Sequence, residues 1–247
     1  MKSLSTRAVI LRRANVNEAD RLLTLFTQAT GKLTVKAKGV RKPLSKLAGG
    51  LELFYLSQFH LVLGNSLYTV TEVTPEQTYP NIHRDLKRLE LAYIVAEIVN
   101  KLTHDGTKNY HIFELMVASF AFIETHELDA PSRNIFAGWF LIQFLAAEGI
   151  RPELKNCVFC HRAVEGEALM WSHMQGGLLH SEHVTAEAQA EPISQNLVKL
   201  MRLALASGVA TVHNVKLDEA FAREFFVRIY DFFRWQTKVE LKTIKNI

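Results

Sequence analysis

Short apolar runs separated by polar turns open the chain. Arg7-Ala8-Val9-Ile10-Leu11-Arg12 and Asp20 to Thr27 are two such runs, and Ala29-Thr30-Gly31-Lys32 reads as the turn after the second. Gly31 to Lys38 then alternates: Leu33, Val35 and Ala37 fall on one face, Lys32, Thr34, Lys36 and Lys38 on the other. Leu53 to Leu63 and Leu67 to Val73 follow, parted by Gly64-Asn65, and Pro75 and Pro80 close the region. Five strands of this length predict a small barrel. An oligonucleotide-binding (OB) fold is a common five-stranded case, although strand number alone does not separate it from other small barrels.

Beyond Pro80 the period changes. Ile82, Leu86, Leu89, Tyr93, Ala96 and Val99 recur every three or four residues, which predicts a helix capped by Asn81 and ended at Asp105-Gly106. Further helices are predicted near Asn109–His126, Ser132–Glu148, Ile193–Ala206 and Asp218–Trp235. The apolar stripe through Ile112-Phe113, Leu115-Met116 and Phe120 reads as core. The Phe225-Phe226 and Phe232-Phe233 pairs read as bundle packing. Residues 151–185 lose the helical period. The expected class is α+β, with an OB barrel over 1–80 and a helical domain over 81–247 that carries 151–185 as an inserted module.

Composition changes this picture little, and charge changes it more. At 247 residues and 48% hydrophobic content the chain can bury a full core. It contains no membrane-length apolar run and no signal-peptide h-region, so a cytoplasmic protein with no membrane partner is expected. Residues 1–60 hold 11 Lys/Arg against 3 Asp/Glu, and the remainder 18 against 22. A basic end on a nearly balanced body suggests a polyanion-binding module, although a solvated basic face has the same composition. The cations cluster. Lys32, Lys36 and Lys38 share one strand face, Arg41, Lys42 and Lys46 sit in the loop that follows, and Arg12 and Arg13 end the first strand. Such residues can track a phosphate backbone without reading bases. Tyr55, Phe59 and Tyr68 could stack bases if exposed; Phe59 reads as core.

The chain has only two cysteines, Cys157 and Cys160, and a Gly176-Gly177 turn precedes His180 and His183. Two paired ligand sets match a tetrahedral zinc site of the Cys2His2 kind, with no open position and therefore a structural role. His161 and His173 are rival ligands. A redox CxxC is the other reading, but no thioredoxin-like pattern surrounds it. His180-Ser181-Glu182 has the H-x-E form of zinc deaminases, yet it follows the cysteines instead of preceding them, and Asn156 stands where proline belongs. No P-loop, HExxH, GxSxG or dinucleotide fingerprint is present.

Three stretches resemble the bacterial RecO family of DNA repair proteins. They are Ala8-Val9-Ile10-Leu11 with Asn17-Glu18-Ala19-Asp20-Arg21-Leu22, then Gly31 to Arg41, and then the Cys-x-x-Cys, Gly-Gly-Leu and second ligand pair. Zinc-bearing members of that family usually have a second CxxC where this chain has His180 and His183. The resemblance implies an OB barrel, a helical body, one structural Zn2+ and no catalytic activity. It implies a nucleoid-associated recombination mediator that binds single- and double-stranded DNA and anneals complementary strands. Its partners would be RecR, single-strand-binding protein and the RecA pathway. The alternative from the residues alone is a basic OB-fold RNA-binding or transcription-associated protein.

Overall fold

The computed structural model describes residues 2–164 and 169–246. The chain forms two compact units, Met1–His126 and Glu127–Ile247. In the first, β1 (Ser3–Val16), β2 (Asp20–Thr27), β3 (Gly31–Ala37), β4 (Leu56–Leu63) and β5 (Tyr68–Gln77) close a barrel in the order β1-β2-β3-β5-β4. All pairings are antiparallel except β3 with β5, which is the connectivity of an OB fold. The alternation in β3 holds: Val35 and Ala37 are buried in the barrel core with Leu23, Leu25, Phe59 and Leu61, and Leu33 packs against them.

β1 exceeds its predicted length because it serves two neighbours. Its first half pairs β4 and its second half β2, with a bulge between Ile10 and Arg12. β5 does not stop at Pro75 as expected. Pro75 stands opposite Ser57 beside a register shift, where a missing N–H is tolerated. β4 starts later than predicted, because Phe54 adopts φ 67° and turns its buried ring toward Tyr93 and Phe120, at 5.1 and 5.5 Å.

The single helix expected after Pro80 is two, α1 (Pro80–Arg84) and α2 (Leu86–Leu102). Asp85 is extended between them, and its side chain accepts from the Arg88 amide. Asn81 lies inside α1 and does not cap it. The free amides of Asn81 and Ile82 donate instead to the Glu124 carboxylate, each at 3.0 Å, from α3 (Tyr110–Thr125). Asn109 caps α3 through the Ile112 amide.

The second unit is built on α4 (Ala130–Ala147), β6 (Met170–Ser172), β7 (Gly177–Leu179), β8 (Glu191–Pro192), α5 (Gln195–Ala206), α6 (Val209–His213) and α7 (Glu219–Thr237). Asp129, Ser194 and Asp218 cap α4, α5 and α7. A Cβ on Gly138 would stand 2.5 Å from the Phe225 ring, so α4 and α7 pack closely only because glycine stands there. Phe140, Phe144, Phe225, Phe232 and Phe233 are fully buried, as bundle packing requires. Within 151–185 the chain forms part of a three-stranded sheet, order β7-β6-β8; residues 165–168 lie outside the described residues. Among the described residues no helix is long and apolar enough to cross a membrane.

Candidate nucleic-acid face and metal centre

The outward faces of β2 and β3 pair Phe26 with Lys32, Thr24 with Thr34, and Leu22 with Lys36. This row changes character along its length. At one end Phe26 is fully buried, and the Lys32 ammonium donates to the carbonyls of Asn100 and Thr103 at 2.8 and 2.6 Å. These carbonyls belong to the C-terminal end of α2, where the helix dipole and unpaired oxygens favour a cation. Lys32 is therefore a helix-capping residue here, with only 15% of its side chain exposed. Strand alternation groups Lys32 with Lys36 and Lys38, and it does not reveal which part of an outer face a helix covers.

At the other end the face is open. A cleft of about 550 Å3 is lined by Leu22, Lys36, Lys38, Leu67 and Thr69, with the β1–β2 turn at Asn17 and the β4–β5 turn at Asn65 along its edges. In OB folds the face of strands 2 and 3, with these same two turns, is where single strands lie. Lys36 pairs with Asp20 at 2.9 Å. Asp20 also accepts from the Gly39 amide at 2.8 Å. That amide, and after it the Lys36 side chain, hold the Asp20 carboxyl below the usual carboxylate range.

The loop after β3 is tied down. The Arg41 amide donates to Ala19 O at 3.0 Å, and its guanidinium to Asn17 O at 3.3 Å. Arg13 pairs with Glu52. Arg12, Lys38, Lys42 and Lys46 are exposed and form no ion pair among the described residues. Thus eight sequence-predicted cations divide into one helix cap, three held by other side chains or carbonyls (Arg41 among these still exposed), and four exposed with no ion pair among the described residues. Phe59 is fully buried, as expected, and Tyr55 and Tyr68 pack partly against the barrel core.

In the second unit the sequence brings two knuckles together. The first is a tight hairpin: Cys157 N donates to Arg162 O, His161 N to Cys157 O, and His161 takes φ 60° to close it. The second follows β7. Gly177 must be glycine, since a Cβ would lie 2.5 Å from Glu153 O. That close approach lets Leu178 N donate to Glu153 O and Val158 N to Leu178 O, both at 2.9 Å. As a result Cys157, Cys160, His180 and His183 converge, with one ligand atom of each within 4.8 Å of all the others. Cys157 Sγ lies 3.4 Å from His183 Nδ1, and Cys160 Sγ 3.4 Å from His180 Nδ1. His161 and His173 are not in this cluster; the His173 ring lies 5.9 Å from Trp235.

The donor set suits a metal. Burial pushes the Cys157 thiol up, but the backbone amides of Cys160, His180 and Phe159 outweigh it and bring it down to about 7. Backbone amides aimed at a sulfur stabilise a thiolate, the form that binds metal. His180 turns its other nitrogen, Nε2, toward Ala163 O at 3.1 Å, an outer contact that orients a ligating imidazole. Two thiolates and two imidazoles are a set that can hold a metal ion.

Both halves of the chain match known families. Residues 1–79 match the family described as Recombination protein O N terminal, and residues 83–244 that described as Recombination protein O C terminal. A DNA repair protein RecO of Dehalococcoides mccartyi is 30% identical over 240 residues, covering 97% of this chain and 92% of its own length. One of Alkaliphilus metalliredigens is 28% identical over 215 residues, covering 87% and 86%. One of Desulfitobacterium hafniense is 29% identical over 233 residues, covering 93% and 83%. The matches run along nearly the whole sequence, and the chain belongs to the RecO family, with a role in DNA repair and recombination.

Proposed function

We propose that this chain is a non-enzymatic recombination mediator. It binds single- and double-stranded DNA on the open face of β2 and β3 and on the loop at 38–46, anneals complementary strands, and works with RecR to load RecA onto DNA coated by single-strand-binding protein. The observation that carries this reading is the cleft edged by Asn17 and Asn65, with Lys36 and Lys38 in its lining and Lys42 and Lys46 unpaired in the loop beyond it. Annealing needs no nucleotide hydrolysis, because base pairing is itself downhill. The protein's task is to neutralise phosphates and so hold strands together.

The Cys2His2 cluster is proposed to hold one structural Zn2+, with Zn–S of about 2.3 Å and Zn–N of about 2.0 Å. Four protein ligands leave no site for substrate. For single-strand-binding protein, the helical unit offers a cleft of about 460 Å3 beside α5 and α7. Leu200, Leu203 and Phe221 line it, with Lys199 and Lys216 among them. Apolar walls with two ammonium groups suit an acidic, apolar peptide tail, with the Asp218 carboxylate, the α7 cap, as the one opposing charge in the lining.

The test is annealing of complementary oligonucleotides coated with the cognate single-strand-binding protein, with RNA as competitor. The wild-type protein is expected to accelerate annealing and to prefer DNA. The combined Lys38→Ala, Arg41→Ala and Lys42→Ala variant should lose the acceleration. Equal acceleration by wild type and variant, or preference for RNA, would overturn the reading.

A further inference from the structure

Most apolar residues of the loop joining β3 to β4 return to the core. Val40 and Leu51 are buried in the barrel cluster, and Leu47 packs against it. Leu44 does not. It is 96% exposed, far more than any other large apolar side chain among the described residues. An apolar side chain left fully in water gains nothing for folding.

The loop that presents it is ordered. Lys42 N donates to Gly39 O at 3.1 Å, Ser45 N to Lys42 O at 3.0 Å, and Ala48 N to Ser45 O at 3.3 Å. Arg41 N and Gly39 N pin its base to Ala19 and Asp20. Pro43 fixes its own φ and restricts Lys42 before it, which stiffens the turn that carries Leu44. The tip therefore keeps its shape without a partner, which lowers the entropy cost of inserting it into one.

The surroundings say what kind of partner. Residues 21–51 contain seven Lys/Arg and no Asp/Glu. Arg41, Lys42 and Lys46 are all exposed within a few residues of Leu44. A cationic rim around an apolar tip fits a ligand whose outside is phosphate and whose inside is apolar and stacked, which is a nucleic-acid duplex. Proteins that deform duplexes insert Leu, Phe or Pro side chains between base steps in this way.

We infer that Pro43-Leu44 is an apolar wedge that enters a base-pair step of duplex DNA while Arg41, Lys42 and Lys46 hold the flanking phosphates. This rests on the proposed DNA-binding face. It adds a role for one side chain: local unstacking, which would help a protein that exchanges or anneals strands.

The test uses a duplex with 2-aminopurine, whose fluorescence rises on unstacking, and the full-length protein. Wild type should bind and raise the fluorescence. Leu44→Ser should keep duplex affinity within about threefold, because apolar burial and unstacking oppose one another, yet abolish the rise. Leu44→Phe should restore it. Leu44 is so exposed that Leu44→Ser should leave the melting temperature unchanged. A wild-type complex without a rise, or a full rise with Leu44→Ser, would overturn the wedge. Loss of a protein partner by Leu44→Ser, with the rise intact, would overturn it too. The triple variant at Lys38, Arg41 and Lys42 separates the two readings: if it still binds duplex as wild type does, the DNA-binding face is misplaced, whatever Leu44 does.

Discussion

Single residues fix the places where the chain could not be otherwise. Gly177 approaches Glu153 O so closely that a Cβ would meet it at 2.5 Å. Gly177→Ala should cost roughly 1–3 kcal/mol of stability by overpacking and should lower bound metal per chain, read by elemental analysis, because the clash parts the two knuckles. Asp129 illustrates a pH effect. The Ser132 side chain and then its amide hold this carboxyl below the usual carboxylate range. A depressed folded-state value means that the carboxylate's stabilisation is fully present above the unfolded-state value and is lost as pH falls through the folded-state one. Asp129→Ala should therefore cost about 1 kcal/mol near neutral pH, the usual worth of a helix N-cap. Urea titrations of wild type and variant should converge as the pH is taken down through and below the ordinary carboxylate range. A gap that stays constant through that range would contradict the assignment.

At the scale of elements, the row of outward residues on β2 and β3 is the informative case. Strand alternation correctly separates Lys32, Lys36 and Lys38 from Leu33, Val35 and Ala37. It does not reveal that α2 ends over Lys32. That fact depends on long-range packing, as does the break at Asp85 that turns one periodic segment into α1 and α2. Lys32→Ala should destabilise the fold by about 1–3 kcal/mol, the scale for losing hydrogen bonds to a charged group, and leave the salt dependence of DNA binding unaltered. A reduced salt slope with unchanged stability would instead make Lys32 a phosphate contact. The Cys/His cluster was more legible, since a CxxC and an HxxH pair after Gly-Gly fix both residue type and spacing. Spacing alone leaves His161 and His173 as rivals; the approach of Gly177 to Glu153, a long-range contact, is what sets His180 and His183 beside the cysteines. The small sheet β7-β6-β8 and the five-residue α6 were not legible, being too short to show a period. If the cluster holds zinc, metal binding contributes local folding free energy. Cys157→Ser, or a strong chelator, should raise amide exchange across 151–185 and leave exchange in β1–β5 as it was. Unchanged exchange in both regions would show that the module orders itself without metal.

For the molecule as a whole, charge and topology act together. The first 60 residues hold an excess of 8 positive charges and the rest an excess of 4 negative ones, and the barrel built by that first segment has OB connectivity. Charge asymmetry alone allowed a merely solvated face. What changes the picture is that Lys36 and Lys38 line a cleft between the β1–β2 and β4–β5 turns, while acidic neighbours hold Lys36 and Arg13 and leave the loop cations open. The central claim is that this face binds DNA through its phosphates, and the most direct measurement is the salt dependence of single-strand affinity. If about four cations contact phosphates, log K should fall against log salt with a slope of roughly −3, from about −0.7 per phosphate. The Lys38→Ala, Arg41→Ala and Lys42→Ala variant should flatten that slope by roughly 2 and weaken binding alike across DNA sequences. Wild-type slope and affinity in the variant would contradict the account.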